Sequence, residues 1–178
     1  MLEGKNVNLR VMEKEDVPLL AEWFNNPDFS GEYNPLEQES RTEIEKKFND
    51  LKSSIIEKKD GSKIGSIGHF ATAEKLLEIG FSVIPPERGK GYCTEAVKIL
   101  VDYIFLSRDV MRLQARTDVR NVAAQKVLEN AEFTKEGIVR KSIFIRGEWR
   151  DMFLYSILRE EWKEPKILTK TTSQVRSP

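Results

Sequence analysis

The sequence predicts an α/β or α+β sandwich, with helices laid against a mixed β-sheet. Three observations carry that expectation. Apolar residues switch between a two-residue and a helical period in the order β-α-α-β-β-β-α-β-α-β-β. Pro85-Pro86 closes one strand and leads through a glycine-containing turn straight into a strongly apolar helix. The composition, 39% apolar and 33% charged over 178 residues, suits one globular unit that can bury a core of its own.

Each element has its own warrant. Val7, Leu9 and Val11 alternate with Asn8 and Arg10, the period of a half-buried strand over Asn6–Met12. Val17, Leu20, Ala21 and Phe24 fall at helical spacing within Glu15–Asn25, where Pro18 is tolerated because it sits in the first turn. Asn26–Ser40 is crowded with turn formers and reads as a long loop; loops beyond about 12 residues in a compact domain are commonly functional. Phe29 and Tyr33 favour an ordered, ligand-facing loop over a tether. Ile44, Phe48, Leu51 and Ile55 predict a helix, followed by a short strand Ile55–Lys58 and a turn at Lys59-Asp60-Gly61. Strands Lys63–Thr72 and Leu76–Ile84 follow, joined by a turn near Thr72–Lys75. Thr94–Leu106 is a helix with Ala96, Val97, Leu100, Tyr103 and Ile104 inward, then come a strand Met111–Asp118 and a helix Val122–Ala131. Glu136–Ile145 and Arg150–Leu158 form a hairpin across Arg146-Gly147-Glu148. Residues 1–162 are expected to form one domain, and 163–178 a polar, flexible tail.

Composition narrows the function classes. Lys+Arg and Asp+Glu each number 29, so no global basic field draws nucleic acid or an anionic membrane. Cys93 is the single cysteine and His69 the single histidine, which excludes an internal disulfide and a thiol-rich zinc site, and no metal is expected. The first residues carry no apolar signal core and no 18-residue apolar run occurs, so the expectation is a soluble, cytoplasmic protein with no membrane partner.

The chemistry concentrates in Ile84–Ala96, which passes from strand to helix through Arg88-Gly89-Lys90-Gly91-Tyr92-Cys93-Thr94. Two glycines let the backbone curl and approach a ligand closely. The first amides of a helix have no intrahelical partner and point together toward an anion, and Arg88 and Lys90 would add positive charge at the rim. The P-loop pattern fails for want of a Lys-Ser/Thr after the second glycine, and the dinucleotide pattern fits by half because Thr94 holds the third glycine position. A glycine turn without a ligand stays open on the residues alone.

Arg88-Gly89-Lys90-Gly91-Tyr92-Cys93 resembles the acyl-CoA pyrophosphate turn, R/Q-x-x-G-x-G/A, of the GNAT N-acetyltransferase superfamily. The chain from about Leu2 to Trp162 is similar to the RimJ/RimL branch of ribosomal-protein N-terminal acetyltransferases, on Glu78-Ile79-Gly80, Asn121-Val122-Ala123-Ala124, Glu132-Phe133 and Glu136-Gly137. The resemblance implies a mixed, mostly antiparallel twisted sheet of about seven strands with helices on both faces. It implies acetyl-CoA as co-substrate and direct acetyl transfer to a primary amine, a protein or peptide α-amine first. A small-molecule amine (polyamine, amino sugar, aminoglycoside) or a non-catalytic acyl-CoA-binding role are the alternatives, and a homodimer is open. Four positions depart from the pattern: Cys93 for a small residue, Glu132 for a helix-ending glycine, Ala124 for a serine near the CoA sulfur, and Leu128 for a tyrosine of many relatives.

Site residues follow. An α-amine with a pKa near 8 is about a tenth neutral at pH 7, so the demand on a base is modest. Glu78, which shares a strand face with Gly80 and Ser82, is the candidate base; pairing with Arg112 or Arg116 is the alternative, and His69 the second candidate. A main-chain amide among Phe81, Ser82 and Val83 would polarise the thioester carbonyl, provided the neighbouring strand splays away. Asn121 would reach the pantetheine arm or cap its own helix. With Ala124 and Leu128 in place, the leaving thiolate would take its proton from water, Tyr33 or Tyr155. The acceptor would lie between the Asn26–Ser40 loop and Arg146–Asp151, with Asp28, Glu32 or Asp151 on the amine and Tyr33 or Trp149 as a flat wall.

Overall fold

A computed structural model describes residues 1–50, 52–73, 75–163 and 165. Among these, eight strands form one sheet: β1 (Leu2–Glu3), β2 (Val7–Val11), β3 (Lys52–Lys58), β4 (Lys63–Ala71), β5 (Leu77–Val83), β6 (Arg112–Asp118), β7 (Thr134–Ile145) and β8 (Glu148–Leu158). They lie in the order β1-β2-β3-β4-β5-β6-β8-β7, every neighbour antiparallel except β5 and β6. Helices α1 (Val17–Phe24), α2 (Pro27–Ser30) and α3 (Arg41–Asp50) precede β3; α4 (Tyr92–Ser107) and α5 (Val122–Asn130) flank β6.

The sheet separates two cores, and adjacent residues of β3 mark the division. Successive strand side chains point to opposite faces. Ile56 packs with Val7, Leu9, Ile67, Ile79 and the inner stripe of α4. Ile55 packs instead with Met12, Leu20, Trp23, Phe29 and Ile44 from the α1–α3 side. Helices therefore cover both faces, as expected. Each fully buried aliphatic side chain here contributes about 1.5–3 kcal/mol. Trp23 and Phe29 stack with centroids 5.3 Å apart, which anchors the segment after α1.

The differences from expectation are local. The sheet has an eighth strand, the two-residue β1, paired with Leu9 and Asn8. The helical spacing of Ile44, Phe48, Leu51 and Ile55 ends early: α3 stops at Asp50 and Ile55 belongs to β3, while Leu51 and the side chain of Phe48 lie outside the described residues. The Asn26–Ser40 segment contains the short α2, begun by Asn26, whose side chain accepts from the Asp28 N–H. The β7–β8 turn is tighter than expected, with Arg146 at φ 48° and Gly147 at φ 88°, the paired positive values a two-residue hairpin needs. Of the expected tail, only Lys163 and Pro165 are among the described residues. Trp162 packs back on Phe105 and donates to Asp102.

One irregularity positions the site. β5 and β6 pair only at Leu77–Leu113 and Glu78–Gln114, and beyond those two pairs the strands part.

Candidate active site

Main-chain groups build the anion-binding end. The Ile84 N–H makes the last ladder bond of β5, to Ile64 O, and Pro85–Glu87 form a 3-10 turn closed by the Arg88 N–H on Pro85 O. Gly89 at φ 76° and Gly91 at φ 82° then bend the chain left-handed, where side-chain-bearing residues are strained. The first α4 bond is the Glu95 N–H to Gly91 O. Among the described residues, the N–H groups of Gly89, Lys90, Gly91, Tyr92, Cys93 and Thr94 have no protein acceptor. A Cβ built on Gly89 or Gly91 would meet nothing within 4 Å, so no side chain screens those amides. Six unpaired donors at the positive end of a sixteen-residue helix form a cradle for a phosphate-sized anion.

Of the two basic side chains expected at the rim, Arg88 lines the groove beside the turn and Lys90 does not, and both are engaged by protein groups. Arg88 turns inward, donating to Val83 O (2.9 Å), Phe29 O (2.8 Å) and Asp28 O (3.1 Å). It is a strut between β5 and α2. Lys90 bonds Glu87 at 2.9 Å, and Lys58 joins at 3.4 Å; the Lys90 bond above all holds the Glu87 carboxyl below its ordinary range. Attraction for an anion comes from the backbone.

The cradle opens onto the gap between the parted strands. Because the Ile84 amide faces β4, alternation turns the Phe81 and Val83 amides toward the gap, whereas that of Ser82 faces β4. Across the gap, the Val119 N–H bonds Asp151 O, so the same alternation aims the main chains of Arg116 and Asp118 into it. A groove of about 1440 Å3 joins the turn, Phe81–Val83, the start of α5 and the loop from Asn26 to Asn34. Asn121 serves both readings: Oδ1 accepts the Ala124 N–H at 3.0 Å, capping α5, while Nδ2 has no protein acceptor among the described residues and the residue lines the groove.

The candidate bases lie elsewhere. Glu78 is buried where β5 and β6 part; its carboxylate accepts from Gln114 Nε2 at 2.9 Å and from Arg116 Nε at 3.0 and 3.1 Å. The pairing read from the sequence as the alternative is present, with Arg116 as partner, whereas Arg112 holds Glu136. Glu78 does not line the groove. His69 is buried on β4, and neither ring nitrogen has a partner among the described residues. Burial first, then Arg108 and Lys52, push its pKa down to about 4, so it is neutral at pH 7.

Proton donors and thiols sort likewise. Tyr155 is fully buried and bonds Glu129 at 3.0 Å; burial and then that bond raise its pKa, and it does not face the groove. Tyr33 does line the groove, and the Glu32 carboxylate, more than burial, raises its pKa. Cys93 also lines it, but burial pushes its thiol up to about 12, which makes it a poor nucleophile. Ala124 is on the groove wall and Leu128 is fully buried in the core.

Of the acceptor candidates, Asp28, Glu32 and Tyr33 reach the groove. Trp149 and Asp151 do not. Trp149 is exposed beside Phe144, and Asp151 accepts the Lys141 N–H at 2.8 Å where β7 is irregular. The hairpin meets the loop through arginines instead: Arg146 donates to Gly31 O at 2.8 Å and Arg150 to Glu32 O at 3.2 Å. Arg150 also bonds buried Asp118, as does Arg120; burial would raise that carboxyl, but the two arginines lower it. This network escaped the sequence reading because its members lie up to 118 residues apart with no motif between them.

Among the described residues no helix is long and apolar enough to cross a membrane, and no three His, Cys, Asp or Glu side chains group to hold a metal.

Comparison with known proteins gives this geometry a family. The uncharacterized N-acetyltransferase p20 of Bacillus licheniformis is 30% identical over 173 residues, covering 90% of this chain and 97% of that one. The structure of spermidine N-acetyltransferase from Vibrio cholerae, in complex with CoA and spermine, superposes with a TM-score of 0.78 at 22% identity, covering 88% of this chain and 97% of that one. That of the ribosomal-protein-S5-alanine acetyltransferase from Vibrio fischeri does so at 0.77 and 24%, covering 92% and 100%. The family model for the acetyltransferase (GNAT) domain matches residues 6–134, and the chain belongs to that family of N-acetyltransferases.

Proposed function

We propose that the enzyme takes acetyl-CoA as co-substrate and passes the acetyl group directly to the α-amine of a protein or peptide. The observation that carries this is the set of six unpaired amides at Gly89–Thr94 opening onto the gap between β5 and β6. The turn would hold the diphosphate, and the gap is lined by main-chain groups that a pantetheine arm, itself built of amides, can pair with. Supplied with the thioester, the Phe81 and Val83 N–H groups would polarise its carbonyl as the neutral amine nitrogen attacks. The carbon–sulfur bond then breaks, the amine releases its proton to water, and the thiolate takes one. We assign that last step to Tyr33, which lines the groove together with the hydroxyl-bearing Ser30, Ser82, Tyr92 and Thr94, since Ala124 and Leu128 carry no hydroxyl and Tyr155 is enclosed. Glu78 keeps β5 and β6 joined up to the point of divergence, so its role is to position the gap.

The test measures free thiol from acetyl-CoA with a panel of amines. Thiol release above hydrolysis with α-amino peptides supports the reading; release only with lysine side chains or amino sugars removes the α-amine. Tyr33→Phe is expected to lower kcat about 10-fold or more with KM for acetyl-CoA held, and an unchanged kcat hands the proton to water.

A further inference from the structure

A second cavity, of about 320 Å3, lies on the α1–α3 face of the sheet. It and the groove share Phe29, Ser30, Asn34, Phe81 and Ser82, so the two meet at the free side of β5. The walls are apolar, built from Met12, Leu20, Phe24, Phe29 and Ile44. The floor is not. Ser53, Ser66 and Ser82 rise from three consecutive strands, Ser66 directly opposite Ser82, and among the described residues none of their hydroxyls has a hydrogen-bond partner. The charged groups that line it are Glu37, Glu39 and Lys47, the two carboxylates sharing the one ammonium, so a single net negative charge stands at that end.

We infer that this cavity receives the first side chain of the acceptor and selects an uncharged, apolar one of leucine, methionine or phenylalanine size. This rests on the α-amine reading above. The volume agrees: a cavity of about 150 Å3 holds benzene, so this one takes a benzyl or isobutyl group together with the start of a peptide unit. The three hydroxyls supply hydrogen bonds for that unit. A polyamine could set one ammonium beside the Glu37–Glu39–Lys47 group, but its other cations would lie against Leu20, Phe24 and Ile44 with no counter-charge, which a cavity of this lining opposes. Glycine or serine would leave most of the apolar wall wet and forgo its burial.

The experiment uses the full chain, acetyl-CoA and thiol release, with pentapeptides that differ only in starting with Gly, Ser, Leu or Phe, and spermine beside them. The expected kcat/KM is at least tenfold higher for the Leu and Phe peptides than for Gly and Ser, with spermine lowest. Ser66→Val and Ser53→Val, which add methyl groups to the floor, should each lower kcat/KM for the Phe peptide about fivefold or more, and more than for the Gly peptide. CoA binding checks that both variants are folded. Spermine or the Ser peptide matching the Phe peptide overturns this inference alone. If every amine fails to release thiol while CoA binds, the α-amine reading falls and takes this inference with it.

Discussion

Gly91→Ala tests the cradle most directly, and Gly61→Ala is its matched control. Gly91 holds φ 82° and Gly61 φ 86°, and a Cβ at either position meets no protein atom within 4 Å. An L-residue held left-handed costs about 1–2 kcal/mol. For a domain of this size about 1 kcal/mol lowers Tm by roughly 2–4 °C, so each variant should melt about 2–8 °C lower. Only Gly91 lines the groove; Gly61 turns between β3 and β4. A methyl group at Gly91 enters space the ligand would fill and holds the anion off neighbouring amides. Losing one hydrogen bond to a charged group costs about 1.5–3 kcal/mol, so CoA should bind roughly 10- to 100-fold more weakly to Gly91→Ala. Calorimetric melting and CoA titration of both proteins read the two effects apart. If Gly91→Ala melts lower but binds CoA as tightly as Gly61→Ala does, the turn is not where the anion sits.

Three further outcomes follow from the same geometry. Glu132 ends α5 at φ 69°, inside a closed C-terminal motif in which the Phe133 N–H bonds Leu128 O and the Glu132 N–H bonds Glu129 O, so Glu132→Gly should raise stability by about 1 kcal/mol in denaturant melts; no change refutes the strain. Burial alone would raise the Asp16 carboxyl, but hydrogen bonds from Arg10 and Lys63 hold it at about 2, below its ordinary 3.8. Its folded pKa is depressed, so about 2 kcal/mol of stability is present above pH 4 and fades as pH falls through 2; Asp16→Asn should flatten a Tm series over that interval. Glu78→Gln should raise KM for acetyl-CoA through a looser strand junction and leave the shape of the pH–rate profile intact, whereas loss of the ascending low-pH limb would make the carboxylate the base.

What was legible in the sequence is what the backbone alone decides. The strand, proline pair, glycine turn and helix of Ile84–Ser107 were readable because each residue's preference is local. Glu132 was legible too, as a residue in a glycine's place. The α3–β3 boundary was not, since Ile55 satisfies the helical spacing and the strand alternation equally well and its packing decides. The direction of a long side chain was equally hidden: Arg88 reads as an anion ligand until Asp28 and Phe29 are seen to fold over it. Trp149 and Asp151 belong to a hairpin that does approach the loop, but their strand alternation and the bulge at Lys141 turn them elsewhere.

The unzipped seam between β5 and β6 gives the sheet two raw margins in its interior. Exposed margins normally invite a stray strand and lead to aggregation. Here α4, α5 and the Asn26–Asn34 loop line the entrance, so those margins open into the groove and not onto the outer edge of the sheet. The fold thus places unpaired strand backbone inside a groove, away from the sheet's outer edges.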